Sequence, residues 1–140
     1  LNVAGFTQVV TYAFNYFIKN GGGHIVNISS VASEIGNGLA TSYNASKAYQ
    51  ANYFQGLRFK AYKLKLPIYL TDVRPGFVDT DILMGNKDKL IWVAPLEKAC
   101  RQIISGIERK SKVLYITKRW KIISLLIKIF PEKILRLFFR

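Results

Sequence analysis

Ile25-Val26-Asn27-Ile28-Ser29-Ser30 is followed, across a polar glycine-containing loop, by Ser42-Tyr43-Asn44-Ala45-Ser46-Lys47. The first stretch is an almost unbroken apolar run ending in serines, which predicts a strand over residues 24–29, covered on both faces in a parallel sheet. The second opens a helical pattern from Tyr43 to about Lys65, which Thr41 or Ser42 can cap and Pro67 stops. Ile68 to Val73 supplies a second strand, followed by Pro75-Gly76. Pro95 starts another helix to about Arg109, and Val113-Leu114-Tyr115-Ile116 supplies a short third strand.

Upstream, Phe6, Val9, Val10, Ala13, Phe14, Phe17 and Ile18 recur at helical spacing and predict an amphipathic helix over residues 3–19. Asn20-Gly21-Gly22-Gly23 ends it. A glycine cradle for phosphate runs from a strand into a helix, whereas these glycines run from a helix into a strand, so they read as a cap and turn. His24, the single histidine, then enters the strand with no Cys, His or acid nearby to make it a metal ligand. Helices alternating with strands predict an α/β fold with a parallel sheet. Three strands make an incomplete sheet whose first strand would otherwise be an exposed apolar edge.

The chain has 140 residues, half of them hydrophobic, enough for one core. It begins at Leu1 and enters a helical pattern at once, which is expected of a fragment. The lone Cys100 allows no internal disulfide and no metal framework; its place in an apolar-periodic helix predicts a buried structural thiol. A net charge of +13 raises nucleic-acid binding. Its distribution argues against that partner: the cations gather at a helix end (Arg58, Lys60, Lys63, Lys65) and in the last 23 residues, with no zinc-finger or aromatic RNA-binding motif.

Tyr43 and Lys47, four apart, project from one face of a helical start. A phenol is a poor base at neutrality, its unperturbed value being about 10. A neighbouring ammonium favours the phenolate, as does the helix N-terminus to a smaller extent. Such a pair can give a proton to a carbonyl or take one from an alcohol. Ser30 can donate to the same oxygen as charge develops there. The plain alternative is that Tyr43 packs and Lys47 is solvated. Three placements argue against it: Ser30 at a strand's C-terminal end, Tyr43 at the next helix start, and Pro75-Gly76 after the following strand.

Together these residues resemble the C-terminal half of a short-chain dehydrogenase/reductase, over residues 1 to about 117. The resemblance implies a Rossmann-like, doubly wound parallel sheet of which this is the C-terminal half, about three strands with flanking helices. It implies Ser30, Tyr43 and Lys47 as catalytic residues, joined by Asn2 on the preceding helix, whose family counterpart holds a water in a proton relay. It further implies that Lys47 bonds the nicotinamide ribose, and that Tyr43, Pro75, Gly76, Val78 and Thr80 line the cofactor, with Gly76 allowing close backbone approach. The cofactor would be NAD or NADP, with NADP slightly favoured, and the reaction ketone–alcohol interconversion by hydride transfer. The family's glycine-rich first half has no counterpart in this sequence.

In the family, residues corresponding to 81–94 cover the substrate. Here Ile82, Leu83, Met84, Leu90, Ile91 and Trp92 would suit an apolar ketone or alcohol, or simply pack on their own domain. Residues 118–140 form a separate basic, amphipathic helical tail. Lys118, Lys121, Ser124 and Lys128 make a polar stripe on an otherwise apolar helix; after Pro131, Lys133, Arg136 and Arg140 make a second. No uncharged run nears the ~20 residues that span a bilayer. The pattern fits a helix-Pro-helix at an anionic membrane surface, on the cytoplasmic face, or packing onto protein. The resemblance implies that the two long helices pair subunits into a homo-oligomer, which their aromatics (Tyr12, Tyr16, Tyr49, Tyr53, Phe59, Tyr62) would support; ordinary core packing accounts for them as well. The enzyme reading stands first. The alternative is a non-enzymatic membrane-surface module with a vestigial Rossmann half.

Overall fold

The computed structural model describes residues 1–83 and 90–138. In chain order these form α1 (Ala4–Lys19), β1 (Gly23–Ile28), a 3-10 turn (Val31–Glu34), α2 (Thr41–Lys63), β2 (Ile68–Pro75), a 3-10 turn (Asp81–Leu83), α3 (Leu96–Glu108), β3 (Val113–Ile116), α4 (Trp120–Ile129) and α5 (Glu132–Phe138). The strands lie in the order β1-β2-β3 and are parallel throughout, with Ile25 opposite Leu70, Asn27 opposite Asp72 and Arg74 opposite Tyr115.

Helices cover both faces, as the apolar strands require. Val10 and Phe14 of α1 and Phe54 and Ala61 of α2 pack on Ile25, Ile68 and Leu70. Ala99 of α3 packs on Val73 and Ile116 across the sheet, with Val26, Ile103 and Leu114 at the margin. Phe14 and Phe54 are almost wholly buried, each stabilising by ~1.5–3 kcal/mol. That packing, more than helix propensity, fixes α1 and α2 on the sheet.

The turn from α1 into β1 uses left-handed backbone at Gly21 (φ +80°) and Gly22 (φ +120°). At Gly22 a side chain would also strike Pro67. Two helix ends differ from expectation. Ala40, with no capping side chain, precedes α2, so Thr41 and Ser42 lie inside its first turn. The Asn44 amide instead ties that turn to the Ile35 carbonyl, at 2.7 Å. At the other end Lys65 turns left-handed (φ +51°) and Leu66 N–H bonds the Ala61 carbonyl. The chain thus leaves the helix before Pro67 is reached. Cys100 is exposed, contrary to the expected buried thiol, because Ala99 takes the inward position on α3.

Alternation along β2 puts Asp72 on the same face as Leu70, beneath α2, where it is fully buried. A buried carboxylate needs partners. Asn27 Nδ2 donates to it at 2.9 Å and Arg74 Nε at 2.7 Å. Arg74 also pairs with Glu34, which accepts from the Tyr115 hydroxyl at 2.7 Å. Ser124 of α4 lies 2.8 Å from that hydroxyl, and Lys128 lies 3.6 Å from Glu34. One polar cluster therefore joins β1, β2, β3, the turn after β1 and α4. Arg74→Met should cost about 3–5 kcal/mol in chemical denaturation, since it removes the buried cation that pairs with both carboxylates. Arg136→Ala, which breaks only the exposed pair with Glu132, should cost under about 1 kcal/mol. Equal, small losses would show that the buried cluster contributes little.

Candidate active site

β1 and β2 end side by side, and the candidate residues lie at or beyond those ends. Ser30 stands two residues past β1 in extended conformation. Its hydroxyl accepts from Ala32 N–H at 3.1 Å and donates weakly to the Pro75 carbonyl at 3.4 Å. Ser33 bonds the Ser30 carbonyl at 2.7 Å, closing the 3-10 turn. Lys47, on the second turn of α2, reaches back to the same strand end. Its ammonium donates to the Ile28 carbonyl at 3.0 Å and to Gln50 Oε1 at 3.2 Å, and lies 5.9 Å from the Tyr43 ring centroid. Tyr43 itself is about half exposed, at 46 %. No hydrogen bond joins its hydroxyl to Ser30 or Lys47 among the described residues.

Burial pushes the Lys47 ammonium below its ordinary value, and the negative charge of Asp72 opposes that shift. Asp72 thus supports a cation that the low-dielectric strand end would otherwise disfavour.

Asn2 lies just before α1 rather than on it. Its side-chain amide is 3.5 Å from Ser46 Oγ, and its backbone carbonyl accepts from Gln50 Nε2 at 2.9 Å. Asn2 and Lys47 are therefore linked through Gln50, which is almost fully buried. Sequence reasoning missed Gln50, Asp72, Arg74 and Glu34. A signal existed for Asp72: a charge inside an apolar strand demands partners. Gln50 had none beyond lying three residues after Lys47.

The segment after β2 departs from expectation in one respect. The close approach that Gly76 permits is occupied by the Trp120 indole of α4, which a side chain there would strike. The Gly76 backbone N–H donates to the Ile116 carbonyl at 2.6 Å. Val78 bridges to Ala94, and the Thr80 hydroxyl points toward the Val78 carbonyl at 3.4 Å. Of the expected cover over residues 81–94, Met84 and the rest of 84–89 lie outside the described residues, as does the Ile82 side chain. Trp92 stacks edge-on to Trp120, with ring centroids 5.5 Å apart.

The fold of this chain is matched among known proteins. A family model described as short chain dehydrogenase matches residues 1–90. The chain belongs to the short-chain dehydrogenase family. An 11-beta-hydroxysteroid dehydrogenase A of Sesamum indicum is 26% identical over 157 residues, covering 100% of this chain and 43% of that protein. An uncharacterized oxidoreductase of Mycobacterium tuberculosis is 30% identical over 109 residues, covering 77% of this chain and 42% of that protein. Among solved structures, a short-chain dehydrogenase from Sphingobium yanoikuyae in complex with NADPH matches with a TM-score of 0.71 at 24% identity, over 94% of this chain and 55% of that one. This short-chain dehydrogenase chain thus spans about half, or less, of the length of these relatives.

Glu34 closes the turn that begins at Ser30, so its ionisation bears on the site. Burial disfavours its charge, but the Tyr115 hydrogen bond and the Arg74 charge outweigh burial and hold the carboxyl below its ordinary value. A carboxyl depressed in the folded state contributes stability above its unfolded value, and loses it as pH falls through the folded value. The stability gap between parent and Glu34→Gln should be full at pH 7 and shrink through the acid range, below the ordinary value of 4.5. A gap independent of pH, in denaturation followed across that range, would rule out this linkage.

Proposed function

We propose that the protein is an NAD(P)-dependent short-chain oxidoreductase that interconverts a ketone and a secondary alcohol, with Tyr43 as the general acid/base. One observation carries this reading: the Lys47 ammonium is fixed on the Ile28 carbonyl, two residues before Ser30, and held over the Tyr43 ring. Cation, phenol and serine turn thereby share one strand end. In the reduction direction, the Tyr43 hydroxyl gives its proton to the carbonyl oxygen while Ser30, released from the Pro75 carbonyl, donates to the same atom. Lys47 favours the phenolate left behind, and Gln50 and Asn2 hold Lys47 in place.

The dinucleotide, when bound, would supply or accept the hydride. An ammonium has three donors, and two are engaged here, which leaves one for the nicotinamide ribose. Pro75, Gly76, Val78 and Thr80 are the further residues assigned to the cofactor. The bond from Thr80 to the Val78 carbonyl is long enough to be given up. Gly76 fits less well, because Trp120 already fills its open side. The glycine-rich half of the dinucleotide site would come from residues outside this sequence. NADP is the favoured form, in line with the NADPH bound in the Sphingobium neighbour.

Substrate, assembly and location belong to the same proposal. The substrate is a small apolar ketone or alcohol. Tyr12, Tyr16, Phe59 and Tyr62, all exposed on α1 and α2, would pair with a second copy. The setting is cytoplasmic. The alternative of a non-enzymatic membrane-surface module is favoured only by the apolar outer face of α4.

In the full-length protein, Tyr43→Phe should lower kcat by about 10²–10⁴-fold while nucleotide binding, followed by fluorescence titration, is retained. Undiminished turnover would remove Tyr43 from the chemistry. Absence of nucleotide binding in the parent would favour the non-enzymatic module.

A further inference from the structure

The helix α4 is seated with its polar stripe inward. Ser124 is buried against Tyr115, Lys128 pairs with Glu34, and Trp120 is buried against Gly76. The opposite side carries Ile122, Leu125, Leu126, Ile129 and Phe130, all exposed, Ile122 at 61 % and Ile129 at 64 %. On α5, Ile134 and Leu137 are exposed as well. An amphipathic helix in water normally turns this side to the core. Here Trp120 and the polar Ser124 and Lys128 face inward, with Ile123 and Ile127 half-buried beside them, and the rest of the apolar side is left facing out.

We infer that the outward side of α4 and α5 docks on the surface of an anionic lipid bilayer. Charge selects this occupant. Lys118, Arg119, Lys121, Lys128, Lys133, Arg136 and Arg140 fall in the last 23 residues, with Glu132 the sole acid. Glu132 is already paired with Arg136. A second copy set against this face would bring the same cations together, whereas anionic headgroups neutralise them. No helix among the described residues is long and apolar enough to cross a membrane. The mode is interfacial, with the exposed isoleucines and leucines in the headgroup boundary and the exposed Lys118, Arg119, Lys121 and Lys133 at its rim.

Docking also has a place relative to the site. α5 contributes Glu132, Leu135 and Arg136 to a cleft of about 540 Å³ whose other wall is Ile35, Gly36, Asn37 and Gly38, in the loop from Ser30 to Tyr43. A bilayer under α4 and α5 would bring that loop close to lipid. It would favour substrates that partition into the membrane. This consequence rests on the oxidoreductase reading; the docking itself does not.

The test is co-sedimentation of the full-length protein with phosphatidylcholine vesicles, with and without phosphatidylserine. The parent should pellet with the anionic vesicles and stay in solution with the neutral ones. Ile122→Ser, Leu125→Ser and Ile129→Ser combined, all at exposed positions, should weaken anionic-vesicle binding about tenfold or more. Tyr43→Phe should leave it unchanged, which separates this inference from the catalytic one. No binding by the parent, equal binding to neutral vesicles, or unchanged binding by the triple variant would overturn it. So would a triple variant that instead converts an oligomer to a monomer in sedimentation velocity without lipid, since the face would then be a protein interface.

Discussion

The bond from the Lys47 ammonium to the Ile28 carbonyl sets the relation on which the site depends. It crosses from α2 to the end of β1, so it fixes where along the strand the helix starts. Tyr43, one turn earlier on α2, and Ser30, two residues beyond Ile28, are then placed relative to each other by a single contact. The contact is costly as well as useful. Burial depresses the affinity of Lys47 for its proton, and the Coulombic pull of Asp72 partly restores it. Gln50 adds a second acceptor and, through Asn2, fastens the start of α1 to the same cation.

Asp72 is the anchor of a second system that reaches away from the site. Its partner Arg74 turns to Glu34, at the end of the turn that begins with Ser30, and Tyr115 and Ser124 carry the connection to α4. The serine turn is thus held from both sides: by Lys47 through the end of β1, and by the tail through Glu34. This explains how α4 can sit polar side inward. Its polar side meets that cluster: Ser124 shares a hydrogen bond with the Tyr115 hydroxyl, and Lys128 adds a second cation to Glu34. Gly76 serves the same arrangement by giving Trp120 room.

The strands, long helices and glycine turn were legible because each rests on local signals: apolar runs, helical spacing, Gly21-Gly22 and the prolines. Val113–Ile116 matches expectation at both ends, and β1 is shifted by one residue. What was not legible depends on contacts far apart in sequence. That Asn2 would reach Lys47 by its carbonyl through Gln50 follows from how α1 packs on α2, which no spacing reports. Cys100 was misjudged because both it and Ala99 fit an apolar stripe, and only the packed helix shows which one faces Val73 and Ile116. The open approach at Gly76 was foreseen, but its occupant was not, because Trp120 lies in a segment read as separate. The candidate triad was legible in order and spacing, while the network supporting it became visible only in three dimensions.

The most direct test of the central claim is a crystal structure of the full-length protein with reduced cofactor and an apolar ketone bound. Lys47 should keep the Ile28 carbonyl, and Ser30 should have left the Pro75 carbonyl. The Ser30 and Tyr43 hydroxyls should both lie within hydrogen-bond distance of the one ketone oxygen. A ketone oxygen bound out of reach of Tyr43, or a Lys47 released from the end of β1, would contradict the account.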